Sequence, residues 1–74
     1  MEDVDYALRM IPPSHRQWIL RSLRSGSASP EQVVSRFTTS KQDPAYNPML
    51  RGLTMAKTLS RDVLDGYLKR IDLS

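Results

Sequence analysis

A chain of 74 residues without a cysteine forms one small domain, and it excludes disulfides and thiolate metal sites as reinforcement of that domain. Its 39% hydrophobic and 26% charged residues are ordinary for a folded globular domain, and no run approaches the roughly 20 apolar residues that a membrane span requires. The net charge of +3 is unevenly placed: Glu2, Asp3 and Asp5 make residues 1–8 acidic, whereas Arg9, Arg16, Arg21, Arg24, Arg36 and Lys41 stand against Glu31 alone over residues 9–41.

The acidic start MEDVDY lacks the basic character of a secretory or mitochondrial leader, so the chain is expected to begin at Met1 and to stay in the cytoplasm. Asp3 or Asp5 is the expected cap of a first helix over 3–10, with Tyr6, Ala7, Met10 and Ile11 toward a common side. Pro12-Pro13 ends that helix, because Pro12 drives Ile11 out of helical geometry, and the pair forms a stiff corner.

The stretch 14–25, SHRQWILRSLRS, holds the only tryptophan and reads as an amphipathic helix. Ser14 and Gln17 have the spacing of a capping box, and Gly26 is placed to end the helix in the left-handed conformation. Trp18, Ile19, Leu20 and Leu23 cover one arc, with Gln17, Arg21 and Arg24 opposite, which makes this helix the expected centre of the core.

Ser29-Pro30-Glu31-Gln32 is the strongest local helix start in the chain, and Val33, Val34 and Phe37 then share a face over 30–38. Residues 38–42, TTSKQ, have no apolar periodicity and read as loop. Asp43-Pro44 and Asn47-Pro48 suggest a single turn at 44–46, stapled by Tyr46, and a helix over 48–58. In that helix Met49, Leu50, Leu53 and Ala56 form a stripe with Met55 and Leu59 at its side, an arc wide enough for a central helix or for a partner. Ser60 is placed to cap a last helix over 61–72, the alternative being that the preceding helix runs through it with a bend; Val63, Leu64, Tyr67, Leu68 and Ile71 share a face there, and Asp65 stands at ion-pair spacing from Arg61 and Lys69. The fold class expected is all-α, a compact bundle of four to five short helices in a single domain spanning 1–74.

The pattern offers little to catalysis. His15 is the only histidine, and its neighbour Ser14 projects about 100° away on a helix, so the two make no nucleophile and base pair. Metal spacing, phosphate-cradling glycine motifs and hence any metal or cofactor have no counterpart, and neither a small-molecule substrate nor a membrane is expected.

Two binding functions fit. A non-enzymatic regulatory or adaptor module would bind another protein, or a second copy of itself, through the apolar surface of Met49, Leu50, Leu53, Met55 and Leu59, where flexible methionines adapt to a partner. The alternative is a helix-turn-helix DNA-binding regulator whose recognition helix starts at Ser29. Gln32, Ser35, Arg36 and Thr39 would then read bases, and Arg16, Arg21, Arg24 and Lys41 would hold phosphates.

Overall fold

The computed structural model describes residues 2–73. Among them the chain forms α1 (Asp3–Met10), α2 (Pro13–Ser25), α3 (Pro30–Phe37), α4 (Tyr46–Thr58) and α5 (Arg61–Leu73), with no strand. It is an all-α bundle with one core, and no helix among the described residues is long and apolar enough to cross a membrane.

That core is organised around α1 and α4, not around α2. Val4, Ala7 and Leu8 of α1, Ile11 just beyond its end, and Met49, Leu53 and Ala56 of α4 are shut off from solvent. Between them stands Gly52: a Cβ there would lie 2.1 Å from the Asp3 carbonyl oxygen and 2.7 Å from the Ala7 Cβ. The two helices therefore meet backbone to side, at a separation only glycine permits. Arg51 Nε donates to Asp3 Oδ2 at 2.8 Å beside the contact. The inward side of α1 differs from the expected one, because Met10 is 39% exposed and Tyr6 half-buried, while Val4 and Leu8 point in.

Each remaining helix adds one edge. Both α2 and α3 pack on α4, and α5 packs on α1. On α2 the buried residues are Arg16, Ile19, Leu20 and Leu23. At 100° per residue they cover one third of the helix, and Trp18 lies a further 100° beyond Ile19. Trp18 is consequently 44% exposed, which corrects its expected place at the core's centre. On α5, Leu64 and Ile71 are buried but Val63 is 49% exposed, and neither ion pair expected for Asp65 forms among the described residues.

Helix ends follow local chemistry in several places. Gly26 has φ of 84° and donates its N–H to the Leu23 carbonyl. Gln32 N–H donates to Ser29 Oγ and Ser29 N–H to Gln32 Oε1, a complete capping box. Val63 N–H donates to Ser60 Oγ. Other starts lie earlier than expected. Pro13 occupies the first position of α2, so Ser14 is already inside the helix and no side chain caps it. The helix α1 spans Asp3–Met10 as expected, but Glu2, not Asp3 or Asp5, stands at its cap position and makes no side-chain cap bond.

The helix α4 begins at Tyr46, with Pro48 in its first turn, where a missing N–H costs no hydrogen bond. Asp43 makes that early start: its carboxylate accepts the N–H groups of Ala45 (3.0 Å) and Thr39 (2.9 Å), and its carbonyl accepts Tyr46 N–H. The amide of Ala45, and then that of Thr39, hold the Asp43 carboxyl below its ordinary pKa. A depressed carboxyl stabilises the fold above the ordinary carboxylate range and loses that contribution as pH falls through its lowered value. Hydrogen exchange of the Thr39 and Ala45 amides should accelerate together on acidification. In Asp43→Asn one of the two bonds is lost at every pH, since a carboxamide has a single acceptor oxygen, and unchanged protection of both amides would contradict this account of the turn.

Candidate docking surface

The five residues expected to form an apolar surface on α4 do not stand together. Met49 and Leu53 are fully buried against the core and are corrected to structural residues. Leu50 and Leu59 are half-buried and pack on the core's edge, and only Met55, at 54% exposed, is open. What remains is a shallow, open apolar hollow of about 590 Å³ lined by Leu50, Thr54, Met55 and Thr58 and by the Asp3–Arg51 pair. The stripe looked too wide because α4 buries a glycine within it: Met49, Gly52, Leu53 and Ala56 are the inward set.

The residues expected at a DNA interface are mostly committed elsewhere. Arg16 is 9% exposed; its Nε donates to the Leu8 carbonyl at 2.8 Å, and one terminal nitrogen lies 3.7 Å from Asp72. Pro12 explains the first contact. It stands four residues after Leu8 and has no N–H, so the Leu8 carbonyl at the end of α1 needs an outside donor. Arg24 treats the end of α4 in the same way, donating to the carbonyls of Ala56 (3.2 Å) and Leu59 (2.6 Å). A guanidinium suits such a place because the helix dipole leaves negative charge there.

Gln32 has its carbonyl oxygen in the capping box, and Thr39 lies beyond the end of α3, tied to Asp43. The Arg36 guanidinium lies 5.7 Å from the centre of the Trp18 ring. Ser35, Arg21 and Lys41 are exposed with no hydrogen bond or ion pair of their side chains among the described residues.

The acids of the N-terminal segment are neutralised internally. Asp5 pairs with Arg9, Asp3 with Arg51, and Glu2 lies 3.9 Å from Arg70. Glu2 also accepts the Tyr67 hydroxyl at 2.9 and 3.0 Å, which raises the Tyr67 pKa because the bonded proton is harder to lose. Basic charge on α2 has no such compensation at Arg21.

The outward side of α2 is the most structured surface that results. It forms a ridge with a cleft on each flank. Toward α3 a cleft of about 570 Å³ is bounded by Trp18, Ile19, Ala28, Val33 and Arg36. Toward α5 a groove of about 380 Å³ has Leu20, Leu64 and Leu68 at its base and Arg21, Arg24 and Arg61 around it. His15 adds its ring at 5.9 Å from that of Trp18, so the only imidazole faces an aromatic neighbour. The sequence carried a signal for this face, since Trp18 lies outside the arc that Ile19, Leu20 and Leu23 define. None of the protein-family models, curated proteins or solved structures compared with the chain matches it.

Proposed function

We propose that this chain is a small regulatory or adaptor module that binds a protein partner across α2, with Trp18 as the anchor. The supporting observation is the position of the only tryptophan: it is 44% exposed at the mouth of the α2–α3 cleft and stacked by Arg36, while Ile19, Leu20 and Leu23 complete the core without it. Tryptophan and arginine carry binding energy at protein interfaces because they bury a large rigid area and, in arginine, a planar donor array. The cleft beside the ring supplies the concavity that a partner side chain fills.

Trp18→Ala tests this. Because the ring is half outside, the substitution should cost less than about 1 kcal/mol of folding stability, against the roughly 3–5 kcal/mol of a buried aromatic. It should nevertheless abolish retention of the protein that the immobilised wild-type chain captures, while Met55→Ala retains it. Retention by Trp18→Ala with loss in Met55→Ala would move the docking face to α4. Capture of nucleic acid whose binding collapses with rising salt would replace the protein partner by DNA or RNA.

A further inference from the structure

We propose that the α2–α5 groove is a receptor for an acidic amphipathic segment of the partner protein, with apolar side chains on its leucine base and carboxylates on its arginines. This rests on α2 being the docking helix and names the chemistry of its second flank. Leu20 comes from α2 and Leu64 and Leu68 from α5; Arg21 and Arg24 stand on the α2 side and Arg61 at the first turn of α5.

Charge complementarity identifies the occupant. Three guanidinium groups meet one carboxylate, Asp65, so the groove is cationic by two charges. Neither Arg21 nor Arg61 has an ion pair or hydrogen bond of its side chain among the described residues, although each is within a few turns of acids on its own or a facing helix. Arg24 is different in kind: one terminal nitrogen is fixed on the Ala56 and Leu59 carbonyls, which holds the guanidinium in place with its remaining donors unassigned. A fixed donor loses little freedom on binding, which is the condition for an arginine to contribute affinity. The start of α5 adds the positive end of a helix dipole at Arg61. Nucleic acid fits less well, because Asp65 would face a phosphate and no aromatic ring lines this groove for a base to stack on.

The test uses the full chain and a fluorescent helical peptide with leucines on one face and glutamates flanking them, followed by anisotropy and by proton-nitrogen correlation spectra. A second peptide replaces each glutamate by glutamine. The glutamate peptide should bind, shift the amides around Arg21, Ser25, Arg61 and Leu68, and weaken with added salt. The glutamine peptide, and the Arg21→Ala/Arg61→Ala variant, should each bind about tenfold more weakly, the sum of a few exposed charge pairs. Trp18→Ala should leave this binding intact. Equal affinity for both peptides, no binding, or shifts confined to the Trp18 cleft would overturn the proposal. Loss of the peptide in Trp18→Ala with no effect of the arginine variant would overturn the groove while leaving α2 as the docking helix. Duplex DNA displacing the peptide from the same amides at lower concentration would overturn the choice of partner class.

Discussion

Gly52→Ala is expected to lower the thermal midpoint by about 10–20 °C, the result of losing about 2–3 kcal/mol in a domain of this size. The new methyl group would sit 2.1 Å from the Asp3 carbonyl oxygen and 2.6 Å from its carbon, both backbone atoms that no side-chain rotation moves aside. To admit it, α1 must move away from α4, and that separation loosens Val4, Ala7 and Leu8 against Met49 and Leu53 at once. Alanine's better helix propensity, worth about 1 kcal/mol, offsets only part of this. Gly66 supplies the control. It is also helical, but a Cβ there meets nothing within 4 Å, so Gly66→Ala should raise the midpoint by the propensity alone. If calorimetry shows the two variants behaving alike, the α1–α4 separation leaves room for a methyl group at position 52 and the close approach is refuted.

Arg16→Met should cost about 1.5–3 kcal/mol in urea unfolding, with the slope of the transition unchanged. Methionine keeps most of the apolar stem and removes the donor that the Leu8 carbonyl receives in place of the N–H that Pro12 lacks. A buried carbonyl is then left short of a partner beside a helix end. The pair with Asp72 contributes less, being 3.7 Å long with the carboxylate mostly in water, so Asp72→Asn should cost well under about 1 kcal/mol. Arg16→Lys should recover only a fraction, since an ammonium group lacks the planar Nε–H geometry that meets Leu8. By contrast Arg21→Met, on the outward side of the same helix, should stay within about 0.5 kcal/mol of wild type. Equal costs at positions 16 and 21 would show that Arg16 has no structural role and would return it to the set of candidate anion contacts.

These two sites illustrate how unevenly the fold and its surfaces were legible. Gly52, Leu53 and Ala56 follow Met49 at three, four and seven residues on one stripe, and a glycine inside an apolar stripe is a sign of close helix approach. Hydrophobic periodicity does not mark it, because a residue without a side chain has no apolar face to count. The orphaned Leu8 carbonyl was legible from Pro12. That Arg16 satisfies it was not, because the direction of α2 after the proline corner is a tertiary fact. For the docking surface, periodicity correctly separated Ile19, Leu20 and Leu23 from Arg21, yet it drew the apolar arc one residue too wide and so took Trp18, 100° beyond Ile19, into the core. On α4 periodicity found the apolar stripe but not which part of it the other helices cover, so Met49 and Leu53 were offered to a partner although both are buried.

What the sequence determined by itself was whatever depends on neighbours within a turn or so along the chain. The all-helical class, the Ser29 capping box, the Gly26 stop, the Ser60 cap and the proline corner all arise from bonds spanning three or four residues or from fixed dihedral angles. Tertiary structure decided which helix is central, which apolar residues face out, and which arginines are bound. Those outcomes depend on how closely two helices approach and where a third one ends, and contacts between residues far apart in the chain fix both. Gly52 against Asp3, Arg24 on Leu59 and Arg16 on Leu8 are such contacts.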